Sequence, residues 1–119
     1  MNSTSDFKYA MVFITAADNE EARLIAKVLL EQKKAACVSI IDGMNSTYWW
    51  KGAVENATES LLMVKTQARL LADVVTAVNE IHSYDNPEII ALPVLGGSDS
   101  YFEWLDESVE IESDEASSP

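Results

Sequence analysis

The fold of this chain is decided by residues 8–41, which read KYAMVFITAADNEEARLIAKVLLEQKKAACVSII. The two ends of this stretch, Lys8–Thr15 and Ala36–Ile41, are short runs rich in β-branched or aromatic residues, which is typical of strands. Between them, residues 18–32 carry apolar side chains at helical spacing, and Asp18 begins a capping box that predicts the start of a helix. The stretch therefore predicts a strand, a helix and a second strand.

The following residues repeat the same elements. Two more strands are predicted at Ser60–Thr66 and Glu88–Leu95, and a helix lies between them, with Thr66 as its N-cap and Pro87 unable to continue it. The apolar stripe of that helix is Leu71, Val74, Val75, Val78 and Ile81. The order β-α-β-β-α-β predicts an α+β domain of the ferredoxin-like class. Its two crossovers predict two parallel strand pairings, with both helices on one face of a four-stranded sheet.

A third helix is predicted after Gly96 and Gly97, capped by Ser100 and Glu103. Its apolar stripe would consist of Tyr101, Trp104, Leu105 and Val109. We expect a flexible N-terminus at residues 1–8, one folded domain at 9–109 and an acidic, disordered tail at 110–119. The domain includes a long hairpin between the second and third strands.

The strand patterns predict that one face of the sheet needs a cover. A sheet with helices on one face should alternate apolar and polar residues, but the first, third and fourth strands are almost continuously apolar. Self-association would cover the second face. A bend at Asp42-Gly43 and a turn at Lys51-Gly52 predict one long hairpin between strands two and three. Its aromatic residues, Tyr48 to Trp50, are expected interface anchors, or alternatively core residues of a short hairpin.

Composition limits the classes of partner. The 119 residues include 20 acids and 8 bases, for a net charge of −12. An acidic chain without a basic stripe argues against nucleic-acid binding, because phosphate contacts dominate such binding. The single cysteine, Cys37, excludes an intrachain disulfide. We expect a cytoplasmic protein, because the sequence has neither a signal peptide nor an apolar run long enough for a membrane span.

Two segments carry a family resemblance. Ala35–Gly52 looks like the AACV-xII-xGxxSxYxWxG stretch of the CutA family of divalent-cation tolerance proteins, and His82–Val94 resembles that family's HPYxxPEIIALPV signature. The similarity runs in register over residues 9–109. The resemblance implies a ferredoxin-like subunit in a tight homotrimer, a link to tolerance of copper and other divalent cations, and no assigned catalysis.

The resemblance also implies where copper would bind. In the family, copper binding is attributed to a cysteine at the end of the first strand and to two adjacent histidines. The corresponding positions here are Ile14 and Ile81-His82, so His82 is the remaining candidate, with Cys37 as a weaker one. Cys37, Asp85 or Glu88 could complete a site across a subunit boundary. The alternatives are a structural histidine at a helix C-terminus and a buried cysteine that acts as a small hydrophobe.

A second set of candidates is Trp50, Lys65, Tyr84 and Glu88, which lie near the ends of elements. In clefts between subunits they could bind a small polar or anionic ligand, as in a trimeric signalling protein of the PII type. Alternatively, Lys65 and Glu88 form an ion pair between strands. An enzyme is not expected, since no phosphate-binding loop, HExxH or GxSxG motif is present. With the family resemblance, the sequence favours a homotrimeric protein that binds copper or another divalent cation.

Overall fold

The structure is a computed structural model that describes residues 6–111. The chain has a mixed α+β fold with one four-stranded sheet and three α-helices. Its elements are β1 (Tyr9–Ala16), α1 (Asn19–Glu31), β2 (Cys37–Trp50), β3 (Ala53–Gln67), a 3₁₀ turn (Ala68–Leu70), α2 (Leu71–Ile81), β4 (Ile89–Pro93) and α3 (Asp99–Val109). The predictions for residues 1–8 and 110–119 fall mainly outside the described residues.

The strands lie in the order β2-β3-β1-β4, and all three pairings are antiparallel. The two expected parallel pairings are therefore wrong. The chain passes from β1 through α1 to β2 across β3, and from β3 through α2 to β4 across β1. Strands that run in the same direction are thus separated by an antiparallel strand.

Helices α1 and α2 cover one face of the sheet, as the sequence predicts. Asp18 is the N-cap of α1, and its side chain accepts a hydrogen bond from the Glu21 N–H at 2.9 Å. The helices bury apolar stripes against alternate residues of β1 and β3. This core includes Val12, Ile14, Leu62 and Val64 from the strands, and Ile25, Leu29, Val74 and Val78 from the helices.

The predicted boundaries of three elements are wrong. Thr66 is not a helix cap, because β3 continues through Gln67 and the buried Thr66 hydroxyl donates to the Lys34 carbonyl at 2.6 Å. The 3₁₀ turn then precedes α2. Helix α3 is capped by Ser98 rather than Ser100. Strand β4 is shorter than predicted, since its pairing with β1 ends at Pro93.

The long hairpin is confirmed. β2 and β3 stay paired from Cys37 to Trp50, with one register shift between Ile41 and Met44. Gly43 has a φ of +73° at this bulge, where a residue with a side chain would be strained. Lys51 and Gly52 form the turn with φ angles of +51° and +82°. Two consecutive positive φ angles fit the strand twist in a two-residue hairpin loop.

The second face of the sheet is largely open in the single chain. Ile41, Ile90 and Leu92 on this face are about half exposed, at 52%, 53% and 47%. Helix α3 covers one end, where Phe102 stacks on Tyr9 with ring centroids 4.3 Å apart. We call the uncovered remainder the open face. None of the helices within residues 6–111 is long and apolar enough to span a membrane.

Candidate functional site

His82 follows the last turn of α2, and its side chain is completely buried. Its Nε2 lies 2.7 Å from the Thr15 carbonyl oxygen, and its Nδ1 accepts a hydrogen bond from the Tyr84 N–H at 3.0 Å. Together these two bonds require the neutral tautomer with its hydrogen on Nε2. The imidazole therefore fastens the loop after α2 to the end of β1.

Glu21 supports the same junction from α1. One carboxylate oxygen accepts from the Ala17 N–H at 2.9 Å, and the other accepts from the Ser83 N–H at 2.7 Å. Burial alone would raise the pKa of Glu21, but these backbone bonds favour the ionised form and lower it. The same carboxylate lies 3.8 Å from His82 Nδ1. A negative charge thus stands beside the buried imidazole.

Cys37 begins β2 directly opposite Lys65 of β3 and is half-buried with a free thiol. The Lys65 amine donates to the Ser39 hydroxyl at 2.5 Å and lies 3.8 Å from the Cys37 sulfur. The base beside the thiol thus comes from the paired strand β3 and not from the lysines that precede Cys37 in the sequence. This small polar cluster lies on the open face.

The structure does not bring Cys37 and His82 together within one chain. Lys65 of β3 pairs with both Cys37 of β2 and Met11 of β1, so Cys37 lies at the height of Met11 in the sheet. His82 bonds instead to Thr15, which is four residues further along β1. Four residues of strand span about 13 Å. Ile14 is fully buried in the core, and Ile81 packs against that core. Within residues 6–111, no three His, Cys, Asp or Glu side chains are grouped closely enough to hold a metal ion.

Three of the four cleft candidates do meet. Trp50, Tyr84 and Glu88 line one cavity of about 660 Å³ between residues 46–50 of β2 and residues 84–88 before β4. We call it the hairpin cavity. The Glu88 carbonyl accepts from the Thr15 N–H at 3.4 Å, which fixes this loop beside β1.

Lys65 lies elsewhere, in a cavity of about 600 Å³ between the open face and α3, with Met11 and Tyr101. Its amine bonds to Ser39, so the alternative ion pair between Lys65 and Glu88 is wrong. Lys65, the cation expected beside Trp50 and Tyr84, therefore does not line the hairpin cavity.

The residue that the sequence reasoning missed is Glu59. Its side chain lines the hairpin cavity, is only 8% exposed and accepts a hydrogen bond from the Tyr84 hydroxyl at 3.0 Å. Burial and the negative charge of Glu59 raise the pKa of Tyr84 to about 12. The predicted strand began at Ser60. Side chains alternate between the two faces of a strand, so beginning the predicted strand one residue earlier would have placed Glu59 on the same face as Leu61.

Known proteins are similar to this chain in sequence and in fold. Residues 10–108 match the family model of the CutA1 divalent ion tolerance protein. The Divalent-cation tolerance protein CutA of Archaeoglobus fulgidus is 46% identical over 99 residues, which cover 83% of this chain and 96% of that protein. The chloroplastic Protein CutA of Arabidopsis thaliana is 44% identical over 98 residues, covering 82% of this chain. The chain matches only about half the length of that plant relative, 54%.

Solved structures agree with this match. The crystal structure of CutA1 from Oryza sativa superposes with a TM-score of 0.85 at 39% identity, covering 89% of this chain and 97% of the other. The Archaeoglobus fulgidus structure, described as a periplasmic divalent cation tolerance protein, gives 0.84 at 44% identity, with coverage of 86% and 99%. Sequence and structure agree over the whole sheet and its helices, and the chain therefore belongs to the CutA1 divalent ion tolerance family.

Proposed function

We propose that this chain forms a cytoplasmic homotrimer that binds copper or another divalent cation and contributes to metal-ion tolerance. The observation that carries the proposal is the family match over residues 10–108, together with relatives that are named for divalent-cation tolerance. The role is one of binding rather than catalysis. Strong negative charge suits cations as partners and disfavours nucleic acid.

The homotrimer is supported by the open face and the hairpin. The strand order supports a ferredoxin-like subunit, whose helices occupy only one side of the sheet. Half-exposed Ile90 and Leu92 lie on the other side, and Trp49 at the hairpin tip is 74% exposed. Apolar surfaces of this kind are usual at subunit interfaces. A closed trimer would bury them on every copy.

Light scattering of the purified chain tests the assembly. We expect a mass three times the 13.1 kDa of one chain. Leu92→Lys should dissociate the trimer, because it places a charge on the open face. Leu24→Lys is the matched control, since Leu24 is 48% exposed on α1 and Leu92 is 47% exposed. A monomeric wild type, or equal dissociation by both variants, would contradict the proposal.

For the metal, His82 and Cys37 remain the proposed ligands, completed across a subunit boundary by Asp85 or Glu88. Coordination by His82 has a specific requirement, because both ring nitrogens already have hydrogen-bond partners. A metal ion at Nδ1 must displace the Tyr84 N–H. The nearby Glu21 carboxylate would then stabilise the bound cation.

A copper titration against a competing chelator tests these ligands in the assembled protein. We expect His82→Gln, which can keep one polar contact, to weaken binding at least tenfold, about 1.4 kcal/mol. Cys37→Ser tests the second ligand without changing the buried junction. Glu107→Gln is the control, since it removes an exposed negative charge on α3. Equal copper affinity in all four proteins would exclude both His82 and Cys37 as ligands.

A further inference from the structure

A cleft lies at the end of the domain opposite to the hairpin turn. It has a volume of about 1070 Å³, and its lining includes Phe7, Gln67, Arg69 and Ile111. Strand β3 runs 15 residues from Ala53 at the hairpin turn to Gln67 at this cleft, a length of about 45 Å. We call this space the end cleft. Among the described residues, it shares no lining residue with the hairpin cavity and contains none of the proposed metal ligands.

The acid at the base of the end cleft, Asp106 of α3, already has a cationic partner. Its carboxylate accepts hydrogen bonds from the Lys8 amine at 3.2 Å, the Tyr9 hydroxyl at 2.9 Å and the Gln67 amide at 2.7 Å. The Gln67 side-chain oxygen in turn accepts from the Arg69 Nε at 2.5 Å. The negative charge of Asp106 is therefore compensated by Lys8, and the neutral amide of Gln67 connects this group to Arg69.

Arg69 has a positive charge that the described part of the chain does not compensate. It is exposed, and in that part it has no ion-pair partner, because Gln67 is uncharged. A guanidinium has five N–H donors, of which the bond to Gln67 uses one. Lys34 lies at the same end of the domain, since its carbonyl accepts from Thr66, one residue before Gln67. The Arg69 side of the cleft therefore favours a carboxylate as its partner.

The acidic end of this chain begins at the same cleft. Ile111 lines the cleft and is 63% exposed. The eight residues that follow it, 112–119, lie outside the described residues and carry Glu112, Asp114 and Glu115 but no base. Eight residues extend at most about 26–29 Å, which is enough to cross a cleft of this volume. Because they are tethered at its rim, even a weak contact benefits from a high effective concentration.

We propose that residues 112–119 fold back over the end cleft and pair their carboxylates with the Arg69 guanidinium. Asp6 and Glu110 also line the cleft, so the pairing lies on the Arg69 side, away from these two acids. The contact covers Ile111 and closes the cleft to other anions. The family match covers residues 10–108, so this contact would be a property of the chain's own extension. It is the alternative to the disordered tail that the composition predicts.

Digestion of the full chain with a glutamate-specific protease tests the contact, because Glu112 and Glu115 are cleavage sites in the proposed bound segment. The reference is a synthetic peptide of residues 108–119, which has the same sites and no cleft. We expect cleavage of the full chain at these sites, followed by mass spectrometry, to be about fivefold slower than that of the peptide, because a bound segment must be released before it is cut. Equal rates would overturn the proposal.

Variants then test the role of Arg69. Arg69→Gln should raise the cleavage rate of the full chain to within about twofold of the peptide, because the carboxylates lose their cation. Lys27→Gln is the matched control, since Lys27 is also an exposed base but lies on α1, outside the cleft. The reversed pair, Arg69→Glu with Asp114→Lys, should regain protection that Arg69→Glu alone loses. No acceleration by Arg69→Gln, or equal acceleration by Lys27→Gln, would refute the pairing.

The outcomes separate this contact from the proposed function. The trimer mass and the copper titration concern the open face, His82 and Cys37, so they do not depend on whether the tail is bound. Light scattering of Arg69→Gln should therefore give the same mass as wild type. Protection from the protease that disappears when the full chain is diluted would indicate a contact between molecules, which would also refute the proposal.

Discussion

At the scale of single residues, Tyr84 and Glu59 form the contact with the clearest pH dependence. The Tyr84 hydroxyl donates to a carboxylate that is 8% exposed, and the pKa of Tyr84 rises from 10.0 to about 12. The folded state thus favours the neutral phenol. Because the unfolded chain ionises near pH 10, the stability from this contact is complete below pH 10 and is lost as the pH rises through about 12.

Tyr84→Phe should therefore lower the free energy of unfolding by about 1–3 kcal/mol at pH 8, since it leaves Glu59 without its hydrogen bond. The difference from wild type should shrink between pH 10 and pH 12. Urea denaturation of both proteins at several pH values measures it. Tyr48→Phe is the control, because Tyr48 is exposed and has no hydroxyl partner among the described residues. A difference that stays constant up to pH 12 would contradict the assignment.

His82 is predicted to be structurally important whether or not it binds metal. His82→Phe keeps an aromatic ring, although a larger one, but leaves the Thr15 carbonyl and the Tyr84 N–H without their partners. We expect a loss of about 2–4 kcal/mol in unfolding free energy, measured by urea denaturation without metal. A loss below about 0.5 kcal/mol would mean that water or Glu21 replaces the ring bonds.

At the scale of elements, the two capped helices offer a direct comparison. Asp18 accepts from the Glu21 N–H at 2.9 Å, whereas Ser98 accepts from the Tyr101 N–H at 3.5 Å. Asp18 also places a negative charge at the helix N-terminus, where the helix dipole favours it. The α1 cap should thus contribute more than the α3 cap.

We expect Asp18→Ala to cost about 1 kcal/mol of unfolding free energy and Ser98→Ala clearly less. Thermal and urea denaturation of the two variants beside wild type provide the comparison. An equal or larger loss from Ser98→Ala would show that the longer hydrogen bond matters more than its geometry suggests.

At the scale of the whole molecule, charge and apolar surface oppose each other. Each chain carries a net charge of −12, yet the open face favours association. Bringing three such chains together concentrates negative charge, and salt screens the resulting repulsion. The proposed trimer should therefore be more stable at 300 mM than at 10 mM sodium chloride.

Sedimentation at decreasing protein concentration measures this effect. We expect dissociation to begin at a higher protein concentration in 10 mM salt than in 300 mM salt. The opposite order would indicate that ion pairs between subunits hold the assembly, rather than burial of the open face. The unfolding temperature should also rise with protein concentration, because only the folded chain associates.

The family, the element order and the long hairpin could all be derived from the sequence. Helical periodicity identifies α1, a short apolar run identifies β1, and the Gly43 and Gly52 positions predict the bulge and the turn, because each depends on neighbours along the chain. The boundary errors at Thr66 and Ser100 have different causes, since α3 simply begins two residues earlier than predicted, with Ser98 as its cap and the Ser100 hydroxyl 3.1 Å from the Ser98 hydroxyl. Whether a hydroxyl caps a helix or bonds to a distant carbonyl, as Thr66 does with Lys34, depends on tertiary contacts.

The sequence by itself determined that this chain is an acidic α+β protein of a divalent ion tolerance family, with apolar residues on both faces of its sheet. Only the tertiary structure decided which charges meet. In the folded chain, Lys65 lies beside Cys37, the buried Glu59 carboxylate accepts a hydrogen bond from Tyr84, and both ring nitrogens of His82 have hydrogen-bond partners. The pattern of apolar residues along a chain indicates which side chains are buried. A site, however, depends on which strands are neighbours, and here β3 lies between β1 and β2.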